Sequence, residues 1–269
     1  MIQGCPTPDA GAPTVYMLRI HRTWLRMAIL LLVGALIVSG LTLYERFNSQ
    51  PGQDGNAKIA WGSMCKGTEC RPAALLYGRI PASATPVIQA LSKRPEVRTL
   101  CLDSVGGNAA AARDLASWLI DHKYDTCIPQ IGTPPKKLDA MCVSACTMIF
   151  VEGQRRLLST TGLFQIHSAS VPWIRRLYGD PANEGGTAAP APTLVFRLLE
   201  PVNRFAASVS LWLATLGLPE SLARDRLMEE AGKTPFYLLR TVPADRLLEW
   251  KVLTEPATND IFFTAAKPD

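Results

Sequence analysis

The stretch VRTLCLDSVGGNAAAARDLASWLIDH, residues 97–122, decides the fold class. Val97 to Asp103 is an apolar run of strand length. Asn108 to His122 carries Ala111, Leu115, Trp118, Leu119 and His122 on one face at helical spacing. Between them lies Asp103-Ser104-Val105-Gly106-Gly107-Asn108. Paired glycines let a backbone turn sharply and approach another group closely. The first amides of the following helix lack intrahelical partners and attract negative charge. Taken alone, such a turn is more often structural than functional.

Working outward, the same alternation continues on both sides. Ala74 to Ile80 reads as a strand and Ala84 to Leu91 as a helix. Downstream, Tyr124 to Pro129 reads as a strand and Ser144 to Val151 as a buried helix. Arg155 to Ser159 and Leu163 to His167 read as two further strands. Strands alternating with helices imply an α/β fold with a mainly parallel sheet, because parallel strands need crossovers and the helices supply them. Ser168 to Pro192 interrupts the pattern with four prolines and three glycines and reads as a long loop. Two apolar helical stretches follow, Leu194 to Leu216 and Pro219 to Glu230. Arg197, Glu200, Pro201 and Arg204 make the first too polar for lipid, so it reads as a helix packed on the domain or on another subunit.

Met27 to Tyr44 holds 18 residues without a charge, about 27 Å as a helix. Trp24 and Tyr44 stand at its ends, and Arg19, Arg22 and Arg26 precede it. The expectation is a transmembrane signal anchor, residues 27–44, with residues 1–26 cytoplasmic and the remainder outside. Val38-Ser39-Gly40 leaves a cleaved signal peptide as the alternative. Residues 45–72 read as a linker and lead-in, and residues 73–269 as the folded domain. Six of the seven cysteines would then be exported: Cys65, Cys70, Cys101, Cys127, Cys142 and Cys146. An even count in an oxidising compartment permits pairing. Cys65–Cys70 is the first expectation; Cys101, in an apolar strand, reads equally well as a buried thiol.

Of the 269 residues, 28 are basic and 23 acidic, a net charge of only +5. The basic residues occur as scattered pairs, Lys136–Lys137, Arg155–Arg156 and Arg175–Arg176, which argues against nucleic acid as a partner. No set of His, Cys and carboxylates has metal-ligand spacing, so no metal site and no cofactor are expected.

Ser144 opens the apolar helix within Met141-Cys142-Val143-Ser144-Ala145-Cys146-Thr147. It can serve as an N-cap, or as a nucleophile with the Ala145 amide aimed at an oxyanion. An alkoxide nucleophile needs a base. Of the three histidines, His21 lies before the anchor and His122 has a structural role at a helix C-terminus. That leaves His167, in Phe164-Gln165-Ile166-His167-Ser168.

Together these elements resemble the Clp protease and crotonase superfamily, and more closely its exported bacterial Clp-protease-like branch. The matching residues are Ser104 to Gly107, Ser144-Ala145-Cys146, Phe150-Val151-Glu152-Gly153-Gln154-Arg155-Arg156, and His167. The 23 residues from Ser144 to His167 are close to the family's spacing. The likeness covers residues 73–168 and returns at Ala244 to Thr254, where Leu247 to Leu253 resembles the closing helix and strand. It implies a ββα spiral, Ser144 as nucleophile, His167 as base, and the amides of Gly106 or Gly107 and of Ala145 as the oxyanion hole. It also implies a peptide or protein substrate, a homo-oligomer, and a bacterial inner-membrane protein with its domain in the periplasm.

Two departures accompany the resemblance. Ile131 to Asp139 looks like an insertion before the serine segment. The family's third catalytic member is an aspartate before the closing helix, where Lys233 to Leu239 holds no carboxylate. Asp225, Glu229 and Glu230 are the upstream substitutes. Three functions are therefore weighed: a membrane-anchored serine peptidase, a catalytically inactive binding or scaffold protein on the same fold, and an acyl-thioester enzyme. The last fits an exported domain least.

Overall fold

Two antiparallel strands begin the domain, β1 (Lys58–Lys66) and β2 (Glu69–Tyr77), with Cys65 opposite Cys70 beside their turn. The computed structural model describes residues 57–132, 138–168, 201, 209, 215–235 and 238–266, all within one unit, Asp54–Asp269. The expected span Met27–Tyr44 lies outside the described residues. So do residues 169–200 and most of the helical stretch expected over 194–216. Among the described residues no helix is long and apolar enough to cross a membrane.

Helix α1 (Thr85–Ser92) leads to β3 (Thr99–Asp103), then α2 (Ala109–Asp121) and β4 (Asp125–Ile128). The short strands β5 (Gln130–Ile131) and β6 (Leu138–Asp139) follow, then β7 (Met141–Val143) and α3 (Ala145–Val151). Next come β8 (Arg156–Leu158), β9 (Leu163–Ile166) and α4 (Leu222–Lys233). The chain closes with β10 (Arg240–Thr241), α5 (Ala244–Glu249) and β11 (Ile261–Ala265).

An eight-stranded sheet runs β6-β5-β11-β1-β2-β3-β4-β8, and a three-stranded sheet runs β10-β9-β7. The β2-β3-β4-β8 half is parallel, as expected. The β11-β1-β2 part is antiparallel, and the sequence reading missed it. β1 sits in the stretch read as linker and lead-in. Its apolar residues, Ile59 to Trp61 and Met64-Cys65, are split by Gly62-Ser63, and the strand is paired on both sides, with β2 and with β11.

Both faces of the large sheet are buried, and alternation along the strands separates two cores. Ala74, Leu76, Leu100, Leu102, Ile128 and Leu158 pack with the helices on one face. Leu75, Cys101, Cys127 and Leu157 pack on the other, with Met64, Ile261 and Phe263. Leu157 of β8 and Phe263 of β11 belong to strands five positions apart in the order, yet share one core. Only a curled sheet brings them together.

Three further readings are corrected. Helix α4 begins later than Pro219 because Ser221 caps it, its hydroxyl accepting from the Arg224 amide at 3.3 Å. Leu247 to Glu249 close a helix as expected, but no strand follows it through Leu253. Lys251 takes φ +58, and the amides of Val252 and Leu253 both donate to the Leu247 carbonyl, so the helix ends in a tight turn. Cys101 is not a free thiol: it is bonded to Cys127, its register partner on β4.

Candidate active site

The small sheet is seated on the end of β3. The Ser104 amide donates to Met141 O at 2.7 Å and the Val143 amide to Ser104 O at 3.0 Å. The Met141 amide donates to Asp103 Oδ1 at 3.1 Å. Burial pushes the Asp103 carboxyl above the ordinary carboxylate range, against the lowering pull of that hydrogen bond. The Gly-Gly turn leaving β3 and the serine segment leaving β7 therefore start from adjoining strand ends.

Gly106 has φ +88, a region glycine enters without penalty. Its neighbours require glycine as well. A Cβ there would lie 2.5 Å from Val143 O, 2.9 Å from Ser144 Cβ and 3.1 Å from the Ala145 nitrogen. The buried Ser104 hydroxyl pins this turn, donating to Gly78 O at 2.6 Å and accepting from the Gly106 amide at 3.1 Å. On the other side, Ile80 donates to Gly106 O and accepts from the Asn108 amide. In that parallel bridge the Gly107 amide points away from Ile80. Of the two glycine amides expected in the oxyanion hole, Gly106's is engaged by Ser104. Gly107's has no acceptor among the described residues.

Ser144 joins β7 to α3 with φ +57 and ψ −124. For a residue other than glycine this costs about 1–3 kcal/mol and persists only where its surroundings enforce it. They do so here. The Ser144 amide donates to Gln165 O at 3.1 Å, and its carbonyl accepts from the Thr147 amide at 2.9 Å and Thr147 Oγ1 at 2.6 Å. The side chain makes no capping hydrogen bond. The N-cap reading of Ser144 is therefore not what this turn is built for.

His167 follows β9, whose Gln165 is the parallel register partner of Val143. Ser144 and His167 thus leave neighbouring parallel strands at the same end. The ring is 7% exposed. Its Nδ1 lies 2.7 Å from Ser168 O. A carbonyl only accepts, so Nδ1 carries a proton, and in the neutral form of the ring the lone pair is on Nε2. The Ser168 amide in turn donates to Thr234 O at 3.0 Å, which ties the histidine segment to the stretch expected to hold the third member.

The suggested carboxylates are elsewhere. Asp225 is exposed. Glu229 pairs with Lys233 at 2.8 Å and Arg226 at 2.9 Å. Glu230 pairs with Lys233 at 2.9 Å and Arg240 at 3.0 Å. Lys233 holds both glutamates below the ordinary carboxylate range. His122 has the structural place expected of it, with Nδ1 2.8 Å from Trp118 O and its ring stacked on Trp118.

The Phe150-x-x-Gly153-x-x-Arg156 segment supports the serine helix from behind. A Cβ on Gly153 would meet Thr126 Oγ1 at 2.3 Å; Thr126 Oγ1 itself donates to Phe150 O at 2.7 Å. Arg156 donates to Gly153 O, Val252 O and Lys251 O, holding the end of α5 against β8. Burial lowers its pKa. Glu152 and Arg224 form an ion pair at 2.7 Å with side chains 6% and 4% exposed. Burial pushes Glu152 up, against the lowering pull of Arg224.

The six cysteines after residue 57 form three disulfides: Cys65–Cys70, Cys101–Cys127 and Cys142–Cys146. Among the described residues no group of His, Cys, Asp and Glu could hold a metal ion. The ends of residues 131–139 lie in the paired strands β5 and β6, of which β6 is the sheet edge; residues 133–137 lie outside the described ones.

No family model matches the sequence, and no curated protein matches it. Similar solved structures include ClpP1 from Listeria monocytogenes, 17% identical, covering 70% of this chain and 91% of that one, TM-score 0.38. A mutant of the same protein is 18% identical with the same coverage and TM-score. A mutant of the 1510-N membrane-bound stomatin-specific protease is 16% identical, covering 70% of this chain and 78% of that one, TM-score 0.41.

Proposed function

We propose that this chain is a Clp-protease-like serine peptidase, anchored in a bacterial inner membrane by residues 27–44 with its folded domain in the periplasm. The observation that carries the reading is the conformation of Ser144. It opens a helix at positive φ, its backbone groups are tied down, and its hydroxyl is spent on no cap. Sequence motifs in the same order as in Clp-protease-like proteins support it, and three disulfides suit an oxidising compartment. Peptide or protein substrates and a homo-oligomeric assembly belong to the same proposal.

The chemistry is acyl transfer. Nε2 of His167 takes the Ser144 hydroxyl proton as Oγ bonds to the substrate carbonyl carbon. The carbonyl oxygen gains the electron pair, and the amides of Ala145 and Gly107 donate to it. His167 then gives its proton to the leaving amine, and water releases the acyl group by the reverse steps. Ser168 O takes the orienting role of the usual acid, holding the ring in the tautomer with its lone pair on Nε2.

A second reading, a binding or scaffold protein on this fold, is favoured by the exposure of Asp225 and by the engagement of Glu229 and Glu230 with Lys233. A serine-directed fluorophosphonate separates the two. Labelling of the wild type that disappears in Ser144→Ala and falls at least about 100-fold in His167→Ala supports the peptidase. Absence of labelling in a folded wild type supports the binder.

A further inference from the structure

We propose that the Cys142–Cys146 disulfide is a positioning device for Ser144, holding its hydroxyl out of the capping conformation and toward substrate. This rests on the reading of Ser144 as nucleophile. Cys142 belongs to β7 and Cys146 to the first turn of α3, so the bond closes a loop of residues 142–146 around the serine.

The two sides of that loop are held by different things. Before the serine, Cys142 bridges Ser104, Val143 donates to Ser104 O, and the Ser144 amide donates to Gln165 O. After it, the chain is already helix. Ser144, at φ +57, is the joint. A serine at such a joint has a competing conformation at negative φ, in which Oγ accepts from an amide of the first helical turn, the ordinary N-cap. Reaching it requires the helix start to rotate relative to the strand end. The disulfide ties those two parts together across the joint, so the rotation is blocked. Gly106 makes room for the result, its missing Cβ leaving space against Ser144 Cβ.

The other two disulfides have different work. Cys65–Cys70 joins register partners beside the β1–β2 turn, and Cys101–Cys127 joins register partners of two strands already paired. The Cys101–Cys127 loop includes Gly106 and Gly107, but neither of these bonds closes a loop around Ser144. Cys142 and Cys146 are both 0% exposed, so a reductant does not reach them in the folded protein, and the device is permanent rather than a switch.

The test compares three full-length proteins in detergent: wild type, Cys142→Ala/Cys146→Ala, and Cys101→Ala/Cys127→Ala. Melting temperature, fluorophosphonate labelling rate, and hydrogen exchange of the 141–147 segment are measured on each. Both variants are expected to melt lower. Only the 142/146 variant is expected to label about tenfold slower or worse, since small misplacement of a reacting atom is costly, and only it should exchange faster over 141–147. If it does not fold, Cys142→Val/Cys146→Ala, which restores volume, takes its place. Wild-type labelling and exchange in the 142/146 variant, or equal losses in both variants, overturn the proposal. A wild type that does not label overturns the peptidase reading alone. Exchange over 141–147 then decides the positioning claim: faster exchange only in the 142/146 variant sustains it, and unchanged exchange overturns it.

Discussion

Gly106 and Ser144 are in backbone-to-side-chain contact across the site: a Cβ on the glycine would lie 2.9 Å from Ser144 Cβ. The oxyanion turn and the serine turn are thus one packed unit. Gly106→Ala must displace one of them and place an alanine at φ +88. The expected loss is about 2 kcal/mol or more, read by urea denaturation. Fluorophosphonate labelling should fall with it, even under conditions where the variant is fully folded.

Ser104 reaches the same turn through its hydroxyl, at 2.6 Å to Gly78 O and 3.1 Å from the Gly106 amide. Ser104→Ala removes a buried donor and leaves two groups unpaired, at a cost of about 1–3 kcal/mol. Ser104→Thr keeps the hydroxyl and should recover much of the loss. Equal melting temperatures for wild type and Ser104→Ala would show that the pin is not needed.

The Glu152–Arg224 pair joins the end of α3 to the start of α4 out of solvent. Removing one partner leaves a buried charge uncompensated. Glu152→Gln and Arg224→Met are each expected to destabilise by about 3–5 kcal/mol. Replacing both together with apolar residues of similar size should cost less than the sum of the two. A double-mutant cycle in denaturant measures this, and strict additivity would deny the coupling.

Asp103 provides a pH dependence whose sign follows from its raised pKa. Between the ordinary carboxylate value of about 3.9 and its raised folded value, the folded chain binds more protons than the unfolded one. The contribution of this group is therefore full below the unfolded value and is lost as pH rises through the folded one. Asp103→Asn keeps an acceptor for the Met141 amide without the charge. It should be more stable than wild type at neutral pH, a difference that closes below about pH 4. Melting temperatures measured across pH 3–8 check it.

Thiol counting on denatured, unreduced protein should find Cys5 as the one free thiol, with the other six cysteines paired. A reporter fused after Asp269 should be active only in its exported form. Cytoplasmic reporter activity would reject the proposed topology.

The parallel half of the sheet was legible because β3 has an apolar centre, Leu100 to Leu102, and α2 shows a clean helical face. Those local signals survive whatever the neighbours do. β1 and β11 were not legible as partners. Each carries a short apolar run, Ile59 to Trp61 and Ile261 to Phe263, but nothing local says that the two pair across some 200 residues of chain (Lys66 with Ile261 in register). Cys101 was ambiguous for the same reason: its bond to Cys127 depends on β3 and β4 lying side by side.

At the site, sequence by itself determined the order and chemical types: a Gly-Gly turn after a strand, a serine opening a helix, a histidine closing a strand. Those features rest on short-range backbone preferences and on side-chain chemistry. Only the tertiary structure decided that Ser144 sits at positive φ instead of capping its helix, and that Ser104 engages the Gly106 amide. It alone showed that Ser168 O meets Nδ1 of His167, and that Glu229 and Glu230 pair with Lys233. Each of those facts depends on which strand ends adjoin, and adjacency between distant segments is set by packing of the whole chain, which no local stretch encodes.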